Sequence, residues 1–70
     1  MNEQAIREIL SRRPFQPFEI KLSSGEQLSV RHPENVLLTN SRIVIADPYL
    51  DRVAIVSLLH ITNVAFPQAA

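Results

Sequence analysis

A few residues in this chain have side chains able to do chemistry: His32, His60, Glu34, Asp47, Asp51 and the adjacent pair Arg12 and Arg13. Histidine is both a proton shuttle and the commonest metal ligand. A metal centre would require the two histidines to converge with a carboxylate, and nothing in their spacing asks for that. His32 marks the end of a strand and His60 a capped turn. The three acidic residues fall in loop-like stretches, with no feature that pins two of them to one cleft. G-x-S-x-G, H-E-x-x-H and phosphate-cradling glycine loops are all missing from the sequence. The residues therefore predict no enzyme, no metal site, no cofactor and no small-molecule substrate.

The arginines carry two readings. Arg12 and Arg13 fall where cations complement the negative end of a helix dipole. The sharper but less favoured reading is contact with nucleic-acid phosphates, with Arg7 and Arg31 nearby. Base stacking needs exposed aromatic rings. There are three Phe and one Tyr, and only Tyr49 falls in a loop rather than at a core-like position. The segment Pro14-Phe15-Gln16-Pro17-Phe18 is too short of proline to sustain a polyproline ligand helix. It reads as a wrap from a helix to a strand, with Phe15 and Phe18 beneath it.

Composition narrows the classes further. Seven basic and seven acidic residues balance to a formal net charge of zero, which disfavours a protein whose main task is neutralising phosphates. Leu, Ile, Val and Phe supply 24 of the 70 residues, enough for a folded core. No cysteine is present for a disulfide or thiolate site. The sequence has neither a signal-peptide pattern nor an apolar run long enough for a membrane span, which predicts a soluble, cytoplasmic protein without a membrane partner. One core of this size supplies only about 3–5 kcal/mol. With no cysteine for a disulfide and no spacing that asks for a metal, assembly of several copies is the expected staple, helped by edge strands that pair across an interface.

Periodicity predicts the elements that hold these residues. Residues 2–13 have the spacing of one amphipathic helix, with Asn2 as cap, Met1 stapled on Ile6, and Glu3–Arg7 and Glu8–Arg12 pairs. Pro14 stops it. Phe18, Ile20 and Leu22 alternate with polar residues, as do Leu28 and Val30. Parity then selects a three-residue loop, Ser23-Ser24-Gly25, since only that loop pairs Ile20 with Leu28 and Phe18 with Val30. Pro33 interrupts the ladder. Further strands are expected at residues 36–38, 43–46, 53–58 and 62–66, followed by a frayed tail at 67–70. The predicted core is Ile6, Ile9, Leu10, Phe18, Ile20, Leu22, Leu28, Val30, Ile43, Ile45, Ile55 and Val64. One helix and then short strands, without βαβ alternation, predict a single mainly β domain. Its expected form is a small SH3-like or Sm-like antiparallel barrel of about five strands with an N-terminal helix.

Two resemblances add to these expectations. The pattern Arg-Pro-Phe-x-Pro-Phe-x-Ile-x-Leu, a glycine turn and Val-x-His-Pro-Glu, over residues 13–34, resembles an uncharacterised family of small bacterial proteins. More distantly, Arg12-Arg13, Pro17, Ile20, Leu22 and Gly25 resemble, without gaps, the helix end and first strand of Hfq, the Sm-like bacterial RNA chaperones. His60-Ile61-Thr62-Asn63-Val64 resembles the turn into that family's last strand. This second likeness implies an oligomeric RNA-binding module, with Arg12 and Arg13 matching a basic rim that contacts RNA. The Lys-His pair with which those proteins bind uridine-rich RNA is replaced here by Leu58 and Leu59. Their second-strand glycine is replaced by Ser29 or Val30, and His32-Pro33-Glu34 has no counterpart. A protein-interaction or structural module without nucleic acid is the competing expectation.

Overall fold

The computed structural model describes residues 1–67; of the expected tail, residues 68–70 lie outside the described part. Helix α1 (Glu3–Ser11) starts as its sequence demands, with Asn2 Oδ1 accepting the Ala5 N–H at 2.8 Å. Ile6 is fully buried, Ile9 and Leu10 pack partly beside it, and Glu3 pairs with Arg7. The helix is shorter than expected because Arg12 is already extended, with ψ 140°. Arg12 therefore no longer lies one helical turn above Glu8, and the expected Glu8–Arg12 pair is not formed. The Met1 nitrogen donates to the Leu58 carbonyl at 3.1 Å, tying the helix start to a distant turn, and Met1 remains partly exposed.

Strands β1 (Phe18–Leu22) and β2 (Gln27–Val30) form the predicted hairpin in the predicted register, Phe18 opposite Val30 and Ile20 opposite Leu28. Leu22 N–H donates to Glu26 and Gly25 N–H to Leu22, each at 2.9 Å. Gly25 has φ +93°, a conformation open to glycine and strained for other residues. A 3-10 turn, Pro33–Asn35, follows where Pro33 breaks the ladder. Then come β3 (Val36–Leu38), β4 (Arg42–Asp47), β5 (Arg52–Ser57), a second 3-10 turn (Leu58–His60) and β6 (Ile61–Ala65).

The fold is mainly β with an N-terminal helix. Among the described residues six strands form two antiparallel three-stranded sheets, ordered β2-β1-β6 and β3-β4-β5. Thr62 Oγ1 donates to the Lys21 carbonyl at 3.1 Å where the β1–β6 register shifts. No helix among the described residues is long and apolar enough to cross a membrane.

Eight of the twelve expected core residues are buried, and Ile9, Leu10 and Val64 pack partly against them. Ile55 is the exception, 68% exposed. Opposed residues in an antiparallel pair share a face. The register sets Val56 opposite Ile43 and Ala54 opposite Ile45, so Val56 and Ala54 point inward and Ile55 outward. Both faces of β5 are apolar in sequence, so alternation could not choose between them. Val56, Leu58 and Ile61 complete the core instead.

Candidate functional site

The sequence-predicted residues do not converge. His32 Nδ1 lies 3.9 Å from its near neighbour Glu34, and His60 Nδ1 lies 3.4 Å from Ser23 Oγ. No group of three metal-ligating side chains exists among the described residues. Arg13 Nη1 donates to the carbonyls of Leu10 (3.2 Å) and Arg12 (2.8 Å), closing acceptors left open at the helix end. Arg12 lies over the Phe66 ring, 5.0 Å from its centroid, and reaches Gln16 Oε1 at 3.5 Å. Both arginines are exposed, and both already serve local structure.

A different set of residues is brought together. Loop residues after β4 are pinned by Asp47, whose Oδ1 accepts N–H bonds from Tyr49 (3.1 Å) and Leu50 (3.3 Å). Asp51 closes the loop with φ +52°, a left-handed conformation that Asp tolerates better than most residues. Tyr49 is thereby held out, 75% exposed, with the Arg31 guanidinium 5.2 Å from its ring centroid. Between this loop and β2 lies a cleft of about 330 Å³, with Arg31 and Arg52 on its walls and Leu28, Ile45 and Ala54 as its apolar floor. Neither arginine has a carboxylate at ion-pair distance among the described residues. Asp47 stands opposite Arg52 in the register, but it is held by the loop's own amides.

The cleft is lined by each consecutive residue from Gln27 to His32. Successive strand residues face opposite sides, so a cavity touching all of them runs along the strand's edge. Among the described residues that edge is unpaired, because β2 ends its sheet. The Leu22–Glu26 bond and the register assign Leu28 and Val30 to bonding with β1. Backbone groups of Gln27, Ser29 and Arg31 therefore face the cleft. A second depression continues along β5, sharing Leu28 and Ala54 as walls.

The other unusual surface is the outer face of β3-β4-β5. Leu37, Val44 and Ile55 align across it by register, and Leu37, Ile55 and Val53 are more than 60% exposed. Sequence reasoning placed Tyr49 and Arg31 as candidates but missed Arg52. The signal available was its place directly after a polar loop, which says nothing of what it faces. No family model, no curated protein and no solved structure matches this chain.

Proposed function

We propose that the chain is a self-assembling binding module of Sm-like or SH3-like type, without catalytic activity, whose copies meet through β5 and the outer face of its sheet. The observation that carries this is the outward row of Leu37, Val53 and Ile55 beside an unpaired edge strand. Isolated exposed apolar residues are ordinary, but a contiguous set on one sheet face marks an interaction surface. The Leu58–Ser41 bond and the register leave the backbone groups of Val53, Ile55 and Ser57 pointing away from β4. A further strand can pair there. The barrel architecture is supported by continuity: β2 passes through the Pro33–Asn35 turn directly into β3, so the two sheets follow one another in SH3-like order.

Sedimentation at high micromolar concentration tests this. A multiple of 7.9 kDa is expected, reduced to that monomer mass by Ile55→Lys, with the urea midpoint at low micromolar concentration, where wild-type copies also separate, retained. A wild-type protein that stays at monomer mass overturns the proposal.

RNA binding along a basic rim is the second reading. It draws on the exposure of Arg12 and Arg13, multiplied over several copies. Phosphate-driven binding must weaken steeply between about 50 and about 200 mM salt. Arg12→Ala combined with Arg13→Ala should flatten that dependence. Absence of RNA binding at low salt by an intact oligomer removes this reading and leaves the assembly module.

A further inference from the structure

We infer that the cleft along β2 is a strand-docking site for an extended acidic peptide, whose main chain pairs with β2 while its carboxylates reach Arg31 and Arg52. This site does not rest on the assembly proposal, but Arg52 and Ala54 of its lining belong to β5, so binding is tested at low micromolar concentration, where the proposed assembly is dissociated.

Three independent features converge on it. The first is backbone chemistry. Gln27, Ser29 and Arg31 present unpaired N–H and C=O groups to a cleft that runs the length of the strand. Edge strands are commonly blunted by lysine, proline or a bulge; the stretch Gln27–Val30 has none of these. An added strand would gain ladder bonds without rearranging the fold, the β-addition mode of peptide recognition. Six residues from Gln27 to His32 line the wall, which matches about six extended peptide residues at roughly 3.3 Å each.

The second feature is charge. Arg31, just after β2, and Arg52, at the start of β5, both line the cleft with no carboxylate at ion-pair distance among the described residues, whereas Arg7 is paired with Glu3 and Arg13 with helix carbonyls. The one acidic side chain in the cleft, Asp47, is already bonded to two loop amides. Two guanidiniums without a carboxylate at ion-pair distance, one of them stacked on Tyr49, in a protein of zero net charge select a negatively charged occupant locally, not by overall attraction.

Pre-organisation is the third. The Asp47 turn holds Tyr49, and Arg31 lies over its ring, so the rim is ordered before a ligand arrives and less freedom is lost on binding. Alternate side chains of a docked strand would fall towards Leu28 and Ala54. The preferred peptide therefore alternates acidic and small apolar residues.

The test uses the full chain and a fluorescein-labelled hexapeptide, acetyl-Asp-Val-Asp-Val-Asp-Val-amide. Fluorescence anisotropy should show saturable binding that weakens with salt, together with slowed amide exchange at Gln27, Ser29 and Arg31. Arg31→Gln and Arg52→Gln, both at exposed positions, should each weaken binding by about fivefold. An Asn-Val counterpart should bind more weakly, and N-methylation of alternate peptide nitrogens should abolish binding if the main chain pairs. Equal binding of the Asn-Val peptide, no binding at millimolar peptide, or no protection of the three amides overturns the inference. So does tighter binding of hexauridine at the same arginines. Protection of those amides by protein concentration alone would assign the edge to a second copy and also overturn it. Peptide binding should persist at low micromolar concentration whether or not the protein assembles at higher concentration, so failure of the assembly proposal and failure of this one give different results.

Discussion

The two sheets have three strands each, yet their solvent faces differ in kind. In β2-β1-β6 the outward positions include Glu19, Lys21, Gln27, Ser29 and Asn63, all polar. In β3-β4-β5 they include Leu37, Val44, Val53 and Ile55. The first sheet is committed to a single apolar face by its own alternation. The second could bury either face, and only its packing partner selects one. Their free edges differ in the same sense: β2 presents polar side chains beside a cleft with unpaired arginines, whereas β5 presents Val53 and Ile55. One edge is suited to pairing that depends on charge, the other to pairing driven by apolar burial.

This contrast can be broken by substitution. The largest effect is expected from Phe18→Ala, which removes a nearly fully buried ring flanked by Phe15 and Phe66 at 6.0 and 6.1 Å between centroids; about 3–5 kcal/mol should be lost in urea unfolding. Ile20→Ala and Ile43→Ala, one in each sheet and both fully buried, should cost about 2–5 kcal/mol. Measured at low micromolar concentration, where the proposed assembly would be dissociated, Ile55→Ala should stay within about 0.5 kcal/mol. A larger cost at Ile55 than at Ile43 would reverse the face assignment of the second sheet.

Smaller effects sharpen the comparison. A Cβ at Gly25 would meet no atom within 4 Å, so Gly25→Ala tests backbone conformation alone and should cost about 1–3 kcal/mol by thermal unfolding. A null result there would mean the β1–β2 turn changes type without loss. Asn2→Ala should remove about 1 kcal/mol through the lost helix cap, a loss that Asn2→Asp should largely restore.

The first hairpin shows how much was legible in the residue order. Only one loop length kept Phe18, Ile20, Leu28 and Val30 on one face, and its single glycine sat where the turn needs a positive φ. The helix start at Asn2 was equally local. The helix end was less so: Pro14 limited it, but Arg12 left the helix earlier to lie over Phe66, 54 positions away. Site residues were legible only as types. Tyr49 and Arg31 stood out as exposed aromatic and cation, but no spacing rule could join them to Arg52. That grouping arises where β2 passes the β4–β5 loop.

The sequence by itself determined the helix start, the β1–β2 register, the breaks at Pro14 and Pro33 and the mainly β class, because each depends on bonds and clashes among near neighbours or on strict alternation. The tertiary structure alone decided which face of β5 is buried, that the strands divide into two sheets, and that Arg31, Tyr49 and Arg52 share a cleft. An apolar strand with two similar faces gains nearly equal burial either way until Ile43 and Ile45 stand opposite it. A cleft between a strand edge and a distant loop exists only once both elements are packed.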